Sequence, residues 1–193
     1  MTFVFDLDDT ICDTDAYSEQ YIRQYFAHHN MPYRQIATNT RFAESKFDWP
    51  RDVALEWYKQ YGDQMMLEFP CKPGVIDTIN TLHAAGHKII IATARATDWH
   101  TEPEKITLQW LANNNVYYDK IYIGRVDKEK VCEEENADVF VDDDVDITSK
   151  VAQYFGGKVG KYTYIANTPY NASLPIAPGV NRLMQFSHLL KLK

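Results

Sequence analysis

Phe3-Val-Phe-Asp-Leu-Asp-Asp-Thr10 is the stretch on which the fold turns. Three apolar residues of high strand propensity run straight into three carboxylates and a hydroxyl, so a short β-strand ends where a polar cluster begins. Apolar runs of the same kind recur at Lys88-Ile-Ile-Ile-Ala92, Lys120-Ile-Tyr-Ile123, Ala137-Asp-Val-Phe-Val141 and Val159 to Ile165. Helical patterns lie between them. Val75, Ile79 and Leu82 fall at i, i+4 and i+7, opened by Pro73 and closed by Gly86. Thr101-x-x-Glu104 predicts a capping box, with Pro103 in the first turn ahead of Ile106, Trp110 and Leu111. Ile147, Val151, Tyr154 and Phe155 form a third stripe, stopped by Gly156-Gly157, with Asp146 as its expected cap. Strand alternating with helix predicts βαβ units with right-handed crossovers. The fold class is α/β: a three-layer, doubly wound parallel sheet covered by helices on both faces. Strand runs that are apolar throughout, not alternating, fit burial from both sides.

The region 13–71 breaks this rhythm. Tyr17, Tyr21 and Tyr25 recur at helical spacing, as do Val53, Trp57 and Tyr61, with no clear strand between them. It reads as a helical insertion after the first strand, leaving 1–12 and 72–193 as the core. Its many aromatics, Trp49 and Trp57 among them, are better explained as the insertion's own packing than as a ligand-stacking surface.

With 193 residues, the chain accommodates one core domain and a small insertion. A balance of 20 Lys+Arg against 27 Asp+Glu gives a formal charge of −7, without a basic cluster, which weighs against nucleic acid as a partner. Cys12, Cys71 and Cys132 show no CxxC spacing and fit idle thiols in a reducing compartment. The longest apolar run, near Ile89 to Ala92, is far short of the ~20 residues of a membrane span, and no signal peptide fits ahead of Asp6. A cytoplasmic protein without a membrane partner is expected, as a monomer or homodimer. His83, His87 and His100 occur singly, without ligand spacing.

In an open α/β sheet, ligands bind beyond the carboxyl ends of the strands. Three such ends carry reactive groups here: Asp6-x-Asp8-x-Thr10, Thr93-Ala-Arg95 and Asp142-Asp-Asp144. If these strands are neighbours, the three ends meet. Two carboxylates ~4 Å apart repel by about 4 kcal/mol at an effective dielectric near 20, and a hard divalent cation with oxygen ligands relieves this. Magnesium suits the donor set. A calcium-binding EF-hand loop does not: one starting at Asp6 would have Ile11 for its Gly and Tyr17 for its Glu, and one starting at Asp142 would have Ile147 and Gln153.

Strand-Asp-x-Asp-x-Thr, then strand-Thr, then Lys, then strand-Asp-Asp, in that order, resembles the haloacid dehalogenase-like superfamily of phosphatases and phosphotransferases. The resemblance implies a Rossmann-like core, with 13–71 as a small helical cap. It implies Asp6 as nucleophile, Asp8 as general acid/base with a raised pKa, and Mg2+ held by Asp6, Asp8, Asp142 and Asp143, the last the direct ligand of its pair. Thr93, Ala94, Arg95 and a lysine would hold the phosphate. Asp9 stands where many members have Gly.

Two lysines compete. Asp127 reads as an N-cap, which puts Lys128 and Lys130 in a first helical turn where the macrodipole disfavours cations by ~0.3–1 kcal/mol. Lys130 has Glu134 at i+4 to compensate, whereas Lys128 faces Cys132. An uncompensated cost points to function, which favours Lys128.

A narrower similarity is to the type C 5′(3′)-deoxyribonucleotidases and their bacterial and phage relatives. It rests on Ile91-Ala-Thr-Ala-Arg95, Thr107-x-x-Trp-Leu111, Tyr118-Asp-Lys-Ile121, Lys128-x-x-x-Cys132, Phe140-Val-Asp-Asp143 and Thr168-Pro-Tyr-Asn171. This implies a nucleoside monophosphate substrate with its base between cap aromatics, for which Phe42, Phe47 and Trp49 are candidates. The expected activity is Mg-dependent hydrolysis of a small phosphomonoester through an aspartyl-phosphate. Polynucleotide 3′-phosphatase, phosphomutase and non-catalytic magnesium-binding regulator are the competing functions.

Overall fold

The computed structural model describes residues 1–193 other than Tyr33, Asn39, Asp98, Trp99 and Lys193, and the backbone alone of Ala43. Six strands form one sheet: β1 (Thr2–Phe5), β2 (Lys88–Thr93), β3 (Lys120–Ile123), β4 (Val139–Asp142), β5 (Tyr162–Ala166) and β6 (Val180–Leu183). They lie in the order β3-β2-β1-β4-β5-β6 and every pairing is parallel. The chain builds outward from β1 through β2 to β3, crosses back to β4 on the other side of β1, and continues to β6. The order therefore reverses at β1, the place where α/β sheets open a crevice at their carboxyl ends.

Successive residues of the central strands serve two cores. Phe3, Phe5, Ile89, Ile91, Val139 and Val141 pack in one cluster with helices α3 (Val75–Ala84) and α4 (Pro103–Asn113). Val4, Ile90, Ala92 and Phe140 pack in another with α5 (Lys128–Glu134) and α6 (Val145–Phe155). Both faces are covered, which is why these strands read as unbroken apolar runs. The three-layer doubly wound architecture follows. The edge strand β6 escapes sequence reading because Val-Asn-Arg-Leu offers just four residues of weak alternation.

Between β1 and α3 stand α1 (Thr14–His28), a 3₁₀ turn at Ala43–Lys46 and α2 (Arg51–Glu68). The chain leaves and returns at one place: Asp13 N donates to Pro70 O at 2.8 Å and Lys72 N to Ile11 O at 2.8 Å. Tyr25, Phe26, Phe47 and Trp57 are buried among themselves and packed against Trp49. Trp110 of α4 ties this packing to the core by donating its indole N–H to Phe69 O at 2.8 Å.

Two expected caps are not made. Thr101 does not form a capping box; α4 starts at Pro103 with Glu102 as N-cap and no side-chain cap bond, while Thr101 N is taken by Asp63 at 3.2 Å. Asp146 lies inside α6, whose N-cap is Asp144, accepting from Asp146 N at 2.7 Å and Ile147 N at 3.0 Å. The cap position has to precede the first helical residue, and α6 begins two residues earlier than its apolar stripe suggests. No helix among the described residues is long and apolar enough to cross a membrane.

Glu135 ends α5, where a carboxylate meets the unfavourable end of the helix dipole. Three donors offset this: Lys120 at 2.6 Å, Lys88 at 2.7 Å and the Tyr122 hydroxyl at 2.5 Å. Hydrogen bonds from Lys120, Lys88 and Tyr122 lower the Glu135 pKa from the ordinary 4.5 to about 2. A depressed carboxylate stabilises the fold above its unfolded pKa and loses that contribution as pH falls from 4.5 towards 2. Glu135→Gln is expected to lower stability at pH 7 by about 1 kcal/mol and to flatten the acid limb across this window, as measured by urea unfolding at a series of pH values.

Candidate active site

β1 delivers Asp6 to the sheet's carboxyl edge, and Asp6 N extends the pairing by donating to Val141 O at 2.9 Å. β4 ends on Asp142 and is followed by Asp143. Carboxylate oxygens of Asp6, Asp142 and Asp143, all buried, lie within 4.8 Å of one another. Lys128, in the first turn of α5, inserts its ammonium between two of them, 2.5 Å from Asp6 Oδ1 and 2.7 Å from Asp142 Oδ2. Lys130 is exposed, and only its backbone N–H reaches the Asp127 cap. The lysine singled out by its missing helical partner is the one the fold buries.

The charges are under strain. Burial pushes the Asp6 carboxyl up to about 7, against the pull of Lys128 and with the help of Asp142 and Asp8. Asp143 is raised well above the usual carboxylate range by burial and by Asp142, Asp6 and Asp9, with Arg41 opposing. Burial works against the Lys128 charge, but Asp6 and Asp142 outweigh it and hold the ammonium pKa above its ordinary value. Asp142 is fully engaged: Oδ1 accepts from Asp144 N at 2.9 Å and Oδ2 from Lys128. Among the described residues, Asp6 Oδ2 has no protein donor, and Asp143 is held by the Tyr170 hydroxyl and, at 3.5 Å, by Thr10 Oγ1.

Asp8 departs from expectation. Its carboxylate is not in the three-carboxylate cluster, because Arg95 takes it: Arg95 Nε is 3.0 Å from Oδ2 and Nη2 2.7 Å from Oδ1. Burial raises the Asp8 pKa, yet the charge and hydrogen bonds of Arg95 and a contact from Cys12 outweigh it, so the net shift is downward. The same pairing corrects the reading of Arg95. Its guanidinium fork is occupied by Asp8, with Thr107 Oγ1 at 3.5 Å and the Phe69 ring alongside, and does not stand open for phosphate. Thr93 is buried at the end of β2, with Oγ1 accepting from Arg95 N at 3.4 Å, and Ala94 lies exposed on the wall of the cavity above.

Asp9 explains its own substitution for Gly. Its φ of +54° is left-handed, a conformation Asp tolerates better than most residues. In return its Oδ1 accepts from Thr14 N and Asp15 N, both at 3.0 Å, capping α1 from outside the helix. A Gly would make the turn but not the cap.

Several residues of the site were not legible as such. Tyr170 donates to Asp143, while Asn171 Nδ2 donates to Asp143 O and Ala166 O, both at 2.9 Å, and so pins the loop after β4. The Thr-Pro-Tyr-Asn motif carried that signal without its role. Arg41 reaches across from the helical segment to pair with Asp144, and nothing in its sequence surroundings marks it. A cavity of about 560 Å³ opens on Asp6, Asp8, Asp143 and Lys128, with Phe42, Glu44 and Tyr58 on its opposite wall. Of the three candidate stacking aromatics, Phe47 is buried against Phe26 and Trp49 is half-buried against Phe26 and Trp57, which leaves Phe42, 55% exposed, on the cavity.

Residues 3–125 match the sequence profile of the haloacid dehalogenase-like hydrolases. The chain belongs to that family. No curated protein matches it in sequence. Its fold is shared by a haloacid dehalogenase-like hydrolase from Streptococcus pneumoniae (14% identity, 98% of this chain and 96% of that one, TM-score 0.65). It is shared too by a Bacillus subtilis protein assigned to the HAD hydrolases and bound to magnesium (18%, 98% of each chain, TM-score 0.60). A third, a HAD family hydrolase from Deinococcus radiodurans, carries phosphate and sodium (16%, 97% and 92%, TM-score 0.61).

The buried carboxylates fit a hard divalent cation, with Asp6 and Asp143 to hold it while Asp142 stays tied to Lys128. Magnesium is expected to raise the melting temperature of this HAD hydrolase by roughly 5–10 °C once it exceeds its Kd a hundredfold. In Asp143→Asn that shift is expected to vanish in the same differential scanning experiment. The metal-free melting temperature should not fall, because the amide oxygen still accepts from Tyr170 and one of the repelling acids is gone.

Proposed function

We propose that this hydrolase is a magnesium-dependent phosphomonoesterase that works through an aspartyl-phosphate on Asp6. The observation that carries the reading is the position of Asp6: at the end of the central strand, within one buried carboxylate cluster, and held at one oxygen alone by Lys128. A carboxylate so placed is a workable nucleophile towards phosphorus once the repulsion from the phosphoryl oxygens is screened.

An Asp6 carboxylate oxygen forms a bond to phosphorus as the bond from phosphorus to the substrate oxygen breaks. The departing alkoxide takes up a proton and leaves as the alcohol. Water then attacks the same phosphorus, releasing inorganic phosphate and restoring the Asp6 carboxylate. Asp8, held ionised by Arg95, is in the state that accepts the proton from that water; protonating the leaving alkoxide requires Asp8 first to take up a proton, and so the Arg95 contact to loosen. Lys128 neutralises charge on the transferring group, and the buried position of the cluster makes this worth more than in water. Magnesium, bound by Asp6 and Asp143, would supply charge stabilisation and orientation of the phosphoryl oxygens.

Residues 13–71 act in this reading as a cap that closes the cavity and chooses the substrate, a small phosphorylated metabolite. A (deoxy)nucleoside monophosphate is favoured within that class by the similarity to type C nucleotidases and by the exposed Phe42 ring on the cavity wall. Three unpaired thiols suit a cytoplasmic setting.

Steady-state release of inorganic phosphate tests the reading. Asp6→Asn and chelation of divalent ions are each expected to abolish turnover. Lys128→Ala is expected to lower kcat/KM by at least about a hundredfold while Lys130→Ala retains it. Full turnover by Asp6→Asn would sink the mechanism.

A further inference from the structure

The cavity above Asp6 is built of two unlike walls. The core supplies the strand-end acids and their cations. The helical segment supplies Asp15, Ser18, Phe42, Glu44, Tyr58 and the paired thioethers that follow on α2.

Side-chain hydrogen bonds within the segment hold Glu44 in place. The 3₁₀ turn that bears it is fixed by Ser45 Oγ on Phe42 O at 2.7 Å and by Trp49 Nε1 on Glu44 O at 2.8 Å. Below it, the buried Lys46 joins the turn to α1 through Asp15 at 2.6 Å and Glu19 at 3.3 Å. From α2, the Tyr58 hydroxyl donates to Glu44 Oε2 at 3.0 Å. Glu44, Asp8 and Asp15 line one cavity with that hydroxyl, and burial and their fields push its pKa well above the ordinary value. Asp15 is buried, and among the described residues its Oδ1 has no hydrogen-bond partner, although Lys46 holds the other oxygen. An unsatisfied buried acceptor costs about 1–3 kcal/mol, a cost that this wall of the cavity carries.

The cations on the cavity are all engaged. Lys128 is held by Asp6 and Asp142, Arg95 by Asp8 and Arg41 by Asp144. A second phosphate or carboxylate on the substrate would meet Glu44 and Asp15 with no unengaged cation among the described lining residues. An amino group would instead meet acceptors, with Phe42 and Tyr58 on the same cavity beside its carbon frame.

We propose that the helical wall selects a phosphomonoester whose alcohol portion presents amino N–H donors to Glu44 and carries no second anion. This rests on the phosphomonoesterase reading and deepens it. The donor can come from an aminoalkyl phosphate or from the exocyclic amine of a nucleobase; the chemistry at Glu44 is the same.

The test is kcat/KM of the full chain with magnesium over p-nitrophenyl phosphate, phosphoethanolamine, dCMP, dTMP, 3-phosphoglycerate and a sugar bisphosphate. Phosphoethanolamine or dCMP is expected to exceed the two anion-bearing substrates by at least about tenfold, since a site built to bond a donor rejects analogues that lack one. Preference for dCMP over dTMP, without turnover of phosphoethanolamine, would identify the base as the source; the converse would identify the alkylamine. In Glu44→Gln, and more mildly in Tyr58→Phe, the preferred substrate is expected to lose its advantage over p-nitrophenyl phosphate, mostly through KM. Equal turnover of 3-phosphoglycerate or the bisphosphate would overturn the assignment while leaving the phosphomonoesterase reading intact, and so would an unchanged preference in both variants. Wild-type protein that releases phosphate from none of the panel overturns both.

Discussion

Three carboxylates brought together at the ends of adjacent parallel strands repel one another, and the rest of the site is arranged around that repulsion. Asp6 and Asp142 can be neighbours because β1 and β4 pair in register through Phe5 and Val141. Lys128 can lie between them because the crossover from β3 to β4 begins a helix just at this edge. Burying three acids with one cation is unfavourable by itself, and the doubly covered sheet supplies the stability against which that cost is set. The raised Asp6 and Asp143 carboxyls record it. A site that costs stability when empty binds a divalent cation the more tightly, since binding removes the penalty.

Asp8 and Asp6 are two residues apart and have opposite fates. Both are acids of the same motif, the first buried and the second half-buried, yet Asp6 is raised and Asp8 lowered. The difference is the partner: Asp6 shares one lysine with Asp142, whereas Asp8 has an arginine fork to itself. Pushing two carboxylates apart in this way is how one site assigns different proton states to chemically identical groups.

The parallel core was plain in the sequence because doubly buried strands leave a strong signal, Ile89 to Ala92 most of all. The meeting of Asp6, Lys128 and Asp143 was legible for the same reason: each follows directly on a strand or opens a helix. What escaped depends on contacts far apart in sequence. Nothing local tells that Arg95 points to Asp8 rather than outward, or that Arg41 crosses to Asp144, since an arginine in a polar stretch reads the same in either case. The misplaced caps of α4 and α6 failed differently. The residue just ahead of the first helical one takes the cap position in each case: Glu102, one residue after Thr101, and Asp144, two residues before Asp146. Phe42 and Phe47 show the limit most clearly, because their burial depends on which side of a four-residue turn each one falls.

Asp13 and Pro70 are hydrogen-bonded neighbours, as are Ile11 and Lys72. Everything between them is therefore a side branch on a continuous sheet, attached at a single neck. Such a branch can be lengthened, shortened or exchanged over generations without shifting the register of any strand. Asp9, Thr101, Trp110 and Asp144 are the exceptions, since each core residue bonds the branch directly. A lineage can in this way inherit its chemistry and its taste in substrates on separate terms, with the neck as the boundary between slow and fast change.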